Sequence, residues 1–381
     1  MRRTGFFLYL LPRYCIMSEF IETRIVNHVG LITLNRPKAL NALSPDMIRA
    51  LMAALAQWAE DPEVYAVFVR GAGEKGFCAG GDIRYFYETA QRERAALLPY
   101  FVDEYALDYL IATYPKPYIA LLDGIVMGGG MGISQGAALR IVTETTRMAM
   151  PETQIGLFPD VGGGYFLARV PGRIGDYLGT TGVAIGAADA LYAGLADIYL
   201  PRNMTADLLS LLETEPWRDG NAVVARVRAM ADGHVAPPPR DMALKDLRDA
   251  IDMHFSCESV SAILASLSRE ARCEFSEWAQ HVEAQLRKRS PLMVCVTLEQ
   301  IRRARSKSLS LADELRVELS MMKRVFDGHD GLEGIRALAI DKDHAPRWLP
   351  ASLDQVDAMQ VERFFESEWP AQAHPLAQLG V

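Results

Sequence analysis

The residues most able to do chemistry in this chain are glycines and acids that lie close together in sequence. Residues 124–132 read GIVMGGGMG, and PETQIGLFPDVGGG then places Glu152 and Asp160 ahead of another glycine run. A third stretch, GFCAGGDI, occupies residues 76–83. Backbone N–H groups left accessible by residues without side chains can bind a developing oxyanion. Two carboxyl groups a short loop apart can divide nucleophile, base and acid roles. Together these are the two halves of a hydrolytic site.

Other chemistries fit the sequence less well. None of the seven histidines lies between His28 and His234, so the glycine and acid region holds no imidazole. GAGEKG (71–76) matches a dinucleotide-binding turn, but glycines continue where the helix of such a unit would start. GISQG (132–136) matches a nucleophile elbow at Ser134. An elbow serine sits on the turn between strand and helix, and here the GGG run takes that turn, leaving Ser134 inside the helix. The five cysteines, Cys15, Cys78, Cys257, Cys273 and Cys295, include no CxxC pair. Neither a disulfide framework nor a structural metal is expected, and a reducing compartment is. That compartment is the cytoplasm, or the mitochondrial matrix if the source is eukaryotic.

The bulk composition is that of a globular protein. Of 381 residues, 50% are hydrophobic and 23% charged, with a formal net charge of -8. The acidic balance argues against nucleic acid as a partner. GFFLYLLP, near the N-terminus, is too short to span a bilayer. Residues 1–17 are read as an extension ahead of a folded chain that begins near Met17.

The positioning elements follow from periodicity and punctuation. Residues 20–28 and 29–35 alternate as a hairpin around Val29-Gly30. Ser44-Pro45 opens a helix in which Met47, Leu51, Leu55 and Trp58 recur at helical spacing, and Asp61-Pro62 stops it. VYAVFVR (64–70) reads as a buried strand. A long helix is expected at 91–113, a strand at 117–124, a short helix over 131–138, and strands at 139–143 and 147–150. The order strand, strand, helix predicts an α/β core with stacked sheets. Beyond Pro201 helical periodicity takes over, PPPR (237–240) reads as a flexible stretch, and IRRARSKS (301–308) as a solvated basic face or a phosphate contact. The expected division is a core over 18–204 and a mainly helical region over 205–381.

GFCAGGDI, GIVMGGGMG and PETQIGLFPDVGGG together resemble the crotonase (enoyl-CoA hydratase/isomerase) superfamily, and more narrowly its 3-hydroxyisobutyryl-CoA hydrolase branch. DGLEGIRALAIDKDHAPRW (330–348) is similar to that branch too, so the resemblance covers about residues 20–350. It implies a spiral of ββα turns followed by C-terminal helices, and an acyl-CoA thioester as the small-molecule substrate. Coenzyme A is then part of the substrate, and neither a separate cofactor nor a metal is called for. The resemblance assigns the oxyanion N–H groups to Gly81 and Gly129. It assigns the coenzyme A border to Lys38, Ala39 and Leu40 with Ala79, Gly81, Asp82 and Ile83. Glu104, within FVDEYALDYL, matches a substrate-contacting acid.

The hydratases of this superfamily use two glutamates. Gly132 stands where the first would be, Glu152 matches the second, and Asp160 stands where hydratases commonly have glycine. The pair Glu152 and Asp160 is the hydrolase arrangement, with Gly129, Glu104, Glu152 and Asp160 around the acyl group. The expected activity is hydrolysis of 3-hydroxyisobutyryl-CoA in valine catabolism. The alternatives are a hydratase or isomerase of broader specificity, or a non-catalytic acyl-CoA-binding protein. Relatives in the superfamily often form trimers, so a homo-oligomer is possible; no membrane partner is expected.

Overall fold

The structure, a computed structural model, describes residues 18–237 and 243–380. The N-terminal extension and most of PPPR lie outside the described residues. In chain order the first elements are β1 (Ile21–Val26), β2 (Val29–Leu34), α1 (Pro45–Glu60), β3 (Ala66–Gly71), β4 (Gly76–Cys78), α2 (Ile83–Arg92) and α3 (Leu98–Ala112). They continue with β5 (Tyr118–Leu122), β6 (Ile125–Met127), α4 (Gly129–Gln135), β7 (Leu139–Val142), β8 (Arg147–Ala149) and β9 (Ile198–Tyr199). The α-helices between and after are α5 (Gly163–Leu167), α6 (Ile174–Thr181), α7 (Ala187–Tyr192), α8 (Thr205–Thr214), α9 (Gly220–Ala231), α10 (Leu244–Phe255), α11 (Val260–Leu267), α12 (Cys273–Leu286), α13 (Pro291–Ser306), α14 (Leu311–Asp327), α15 (Asp330–Ile335) and α16 (Ala358–Arg363).

Two compact units interleave along the chain. The first takes residues up to Gly81, Leu107–Arg147 and Ala196–Pro237; the second takes Asp82–Ala106, Met148–Leu195 and the residues beyond Pro237. The strand, strand, helix order recurs as the sequence predicts. The first pair, β1 and β2, lies wholly in a six-stranded sheet of order β1-β2-β3-β5-β7-β9; of each later pair one strand joins that sheet and the other a small sheet of order β4-β6-β8. In the large sheet β1 and β2 are antiparallel and the remaining pairs parallel.

Several local expectations need correction. The hairpin turns at Asn27-His28, both at positive φ, so Val29 and Gly30 already belong to β2. Two left-handed residues are what a tight hairpin requires, and asparagine tolerates that conformation well. The long helix at 91–113 is instead two helices. Asp82 caps α2 by accepting the N–H groups of Arg84 and Tyr85, so helix starts eight residues earlier than expected. It breaks at Glu93, whose φ of -156 is extended. The strand expected over 117–124 ends at Leu122, β6 follows after a turn, and α4 starts at Gly129 rather than Met131. By contrast Ser44 does accept the Met47 N–H, with Pro45 at the first helical position, and Met47, Leu51, Leu55 and Trp58 are all buried.

In the first unit Val29, Leu31, Phe68, Ile119, Leu139 and Ile141 of the sheet pack with Leu208, Leu212, Val223 and Val227. Thus α8 and α9, expected as part of a separate helical region, close the apolar face of the sheet. In the second unit the basic run is used internally. Arg302 donates to the carbonyls of Phe255, Cys257 and Glu258, and Arg305 meets the fully buried Asp176 at 2.5 Å. Among the described residues no helix is long and apolar enough to cross a membrane.

Candidate active site

In the first unit, β4 and β6 run parallel, with Gly76 beside Ile125 and Cys78 beside Val126, so the loops that follow leave the same edge. Those loops are Ala79-Gly80-Gly81 and Gly128-Gly129. Gly80 has φ +103, and a Cβ there would lie 3.1 Å from the Met127 oxygen and 3.3 Å from the Gly129 nitrogen. Gly128 turns the chain into α4 at φ +48. Only glycine takes both positions without strain. Among the described residues, no backbone carbonyl receives the N–H of Gly81 or of Gly129.

The 38–41 turn is fastened to this loop. The Ala79 N–H donates to the Leu40 oxygen at 3.0 Å, and the Leu43 N–H to the Gly80 oxygen at 2.8 Å. Lys38, Ala39, Leu40, Ala79 and Gly81 are therefore brought together, with Lys38 exposed. The turn is held by Asn41, which sequence reasoning passed over. Fully buried at φ +57, it accepts from the Arg36 N–H and donates to the oxygens of Ala72 and Gly76. Ser134 is fully buried within α4, and its hydroxyl donates to Gly130 O at 2.8 Å and Met131 O at 3.1 Å. That is the bonding of a helix-interior serine, not of an elbow nucleophile.

The second unit brings the acids together. Glu104 on α3, Glu152 at the start of a short 3-10 turn, and Asp160 in the following loop are 2%, 6% and 7% exposed. The Tyr105 hydroxyl donates to Asp160 Oδ2 at 2.8 Å, and the Tyr100 hydroxyl to Glu104 Oε1 at 3.2 Å. Neither tyrosine was singled out from the sequence. Their rings belong to an aromatic cluster with Phe86, Phe101 and Phe326. Asp82 and Ile83 also lie in this unit, the Asp82 carboxylate engaged as the α2 cap.

Low polarity around the acids decides their protonation. Burial pushes Asp160 up to about 7, a rise that the Tyr105 hydroxyl restrains. Burial, reinforced by the charge of Asp160, holds Glu152 and Glu104 well above the ordinary carboxylate range. Desolvation disfavours each charge, and a first ionised carboxyl disfavours a second. Asp160 is the acid best provided with donors. Glu152 differs, because its Oε2 is buried without a hydrogen-bond partner among the described residues. Such an orphan costs roughly 1–3 kcal/mol and calls for an explanation.

The C-terminal motif supports the turn carrying Glu152. A Cβ on Gly156 would lie 2.1 Å from the Asp330 oxygen, and one on Gly334 would lie 2.2 Å from the Ile155 carbonyl carbon. Asp330 is in turn fixed by the Ser290 hydroxyl and by the Leu349 N–H.

Comparison with known proteins agrees with this geometry. Residues 29–365 match the family model described as enoyl-CoA hydratase/isomerase. The chain is 39% identical to a Xenopus tropicalis protein named 3-hydroxyisobutyryl-CoA hydrolase, mitochondrial, over 89% of this chain and 86% of that one. It is 38% identical to the Homo sapiens protein of the same name, over the same shares. Among solved structures, a carnitinyl-CoA dehydratase from Mycobacterium thermoresistibile superposes with TM-score 0.84 at 38% identity, covering 93% of this chain and 98% of that one. An enoyl-CoA hydratase from Rhodobacter sphaeroides 2.4.1 gives 0.82 at 37%, covering 92% and 98%. Strand pairs divided between two sheets, facing glycine loops and the matched length lead to one conclusion: the chain belongs to the crotonase, or enoyl-CoA hydratase/isomerase, family and has its fold.

Proposed function

We propose that the protein hydrolyses a short 3-hydroxyacyl-CoA thioester, 3-hydroxyisobutyryl-CoA above others, to the free 3-hydroxy acid and coenzyme A in valine catabolism. The observation that carries the proposal is the unpartnered Oε2 of Glu152, a buried carboxyl oxygen with nothing to do in the unliganded fold. The names of the curated relatives support the same substrate. Their mitochondrial designation favours the matrix over the cytoplasm for this chain.

In the proposed reaction the N–H groups of Gly81 and Gly129 donate to the thioester oxygen and strengthen their bonds as it gains charge. One such donor is worth about 3–4 kcal/mol of barrier. Glu152, ionised, either attacks the carbonyl, expelling coenzyme A thiolate and leaving a mixed anhydride that water then opens, or takes a proton from the water that attacks. In both routes the C–S bond breaks and the thiolate takes up a proton as it leaves. The raised pKa of Glu152 makes it the stronger base once deprotonated. Asp160 receives the substrate hydroxyl and manages protons with Tyr105, while Glu104 lines the acyl group. Lys38, Ala39, Leu40 and Ala79 border the coenzyme A portion, together with Asp82 and Ile83.

The test is release of thiol from a panel of acyl-CoA esters. Glu152→Gln is expected to lower turnover at least about 1,000-fold while the ester still binds. Normal hydrolysis by that variant would remove Glu152 from the mechanism. A second reading, hydration of an enoyl-CoA, draws on the name of the Rhodobacter sphaeroides structure. Gly132 argues against it: the position is a buried glycine, and by the motif resemblance it is the one at which hydratases carry their first glutamate. Crotonyl-CoA hydration faster than thiol release would reverse the preference.

A further inference from the structure

Asp160 lies in a segment held from behind by three buried side chains outside the set discussed above. Val161, next to it, has φ +55. A β-branched residue rarely takes that conformation, which persists only where the surroundings over-determine it. Here the surroundings are Glu318 and Glu314 on α14 and Gln300 on α13. Glu318 Oε2 accepts the Gly162 N–H at 2.7 Å, and Oε1 accepts the Gly164 N–H at 3.1 Å. Gln300 Nε2 donates to the Pro159 oxygen at 2.9 Å and to Glu318 Oε1 at 3.0 Å. The same nitrogen lies 3.3 Å from Glu314 Oε1. The loop rests directly on these groups, for a Cβ on Gly164 would fall 1.8 Å from Glu314 Oε1.

The chain on the N-terminal side of Asp160 is thus tied by its carbonyl, and the chain on the C-terminal side by two amides. All three side chains are almost fully buried. Two carboxyls in one dry pocket are an expensive way to fill space that apolar residues would fill more cheaply. Holding this backbone is what they do that leucine would not.

We propose that Glu318, assisted by Gln300, is a positioning residue for Asp160: it fixes the Pro159–Gly164 segment and thereby the direction in which the Asp160 carboxyl meets Tyr105 and the substrate. The inference rests on the proposed role of Asp160 in thioester hydrolysis. The titratable and charged groups that face Glu318 are Glu314 on its own helix, Asp160, and Tyr105 on α3, with Arg169 acting on Glu314.

The test is the full-length protein carrying Glu318→Gln, with thiol release from 3-hydroxyisobutyryl-CoA followed from pH 5 to 9. Turnover is expected to fall about 10- to 100-fold, as for a small misplacement of a reacting group. KM should stay within about 3-fold of wild type. Burial holds the Glu318 carboxyl well above the ordinary carboxylate range, so the substitution acts through geometry. A re-aimed Asp160 loses the Tyr105 hydroxyl that restrains its pKa, and the acid limb of the kcat profile should move to higher pH. A role confined to folding would reduce kcat evenly across pH and leave the limb in place, and that result overturns the proposal. Gln300→Met keeps the volume and removes the tie to Pro159; it is expected to lower kcat with KM retained, and it decides the matter if Glu318→Gln does not fold. Unchanged kcat in a folded variant, with an active wild type, overturns this proposal alone. A wild type inert toward every ester overturns the hydrolase reading as well.

Discussion

At the scale of single residues, the protein concentrates several acids in a dry environment and gives them different hydrogen-bond donors. The Tyr105 hydroxyl is the side-chain donor that keeps Asp160 from rising further. Tyr105→Phe is therefore expected to raise the Asp160 pKa and to move the acid limb of the rate profile upward by about half a unit to one unit. Thiol release measured against pH would check it, and an unmoved limb would mean that Asp160 does not govern that limb. The wild-type profile has its own expected form. Glu152 must be ionised to act, and burial holds its pKa well above the ordinary carboxylate range, so kcat/KM should begin to fall at a pH well above that range as the solution is acidified.

Much of this site was legible in the sequence, because glycine runs and nearby acids are local signals. Glu152, Asp160 and Glu104 do assemble, and the glycine loops do converge. Tyr100 and Tyr105 escaped because an aromatic at helical spacing reads as core, and both are core as well as donors. Glu314 and Glu318 escaped because acids four apart on an amphipathic helix read as a solvated face. Their burial depends on α5 and α13, distant in sequence, and no local pattern reports that.

At the scale of elements, the site is built from short turns steadied by distant ones. The DGLEG segment illustrates this, pressing its backbone against the turn after Glu152 with no space for a side chain at Gly334. Gly334→Ala should force backbone apart and cost about 1–3 kcal/mol. Thermal unfolding would show the loss, and activity should decline beyond it because the Glu152 turn is what moves. A variant as stable and active as wild type would show that the contact relaxes freely. The motif was legible as family resemblance, whereas its steric purpose was not, since glycine in a sequence does not say what it approaches. Similar reasoning explains the misplaced helix at 91–113. The Asp82 cap was hidden inside a glycine run that had already been assigned to the oxyanion loop.

At the scale of the whole molecule, proton linkage makes a prediction about stability. A carboxyl whose folded pKa lies above its unfolded value supports the folded state in acid, and that support is lost as pH rises through the folded value. For Asp160 the window runs from its ordinary value of 3.8 to about 7. The stability advantage of Asp160→Asn over wild type should thus widen between pH 5 and pH 8, by on the order of 2 kcal/mol. Melting curves at the two pH values would check this, and a gap independent of pH would mean that Asp160 ionises normally. The protein would be giving up stability at its working pH to keep a reactive acid. The interleaving of the two units was not legible, because periodicity reports elements one at a time and not which of them share a core.

The contact of Gly156 with Asp330 also bears on how the protein is born. A ribosome releases the Glu152 turn long before it has made the residues that brace it, so a nascent chain should stay catalytically silent until synthesis has passed residue 334 and that segment has emerged.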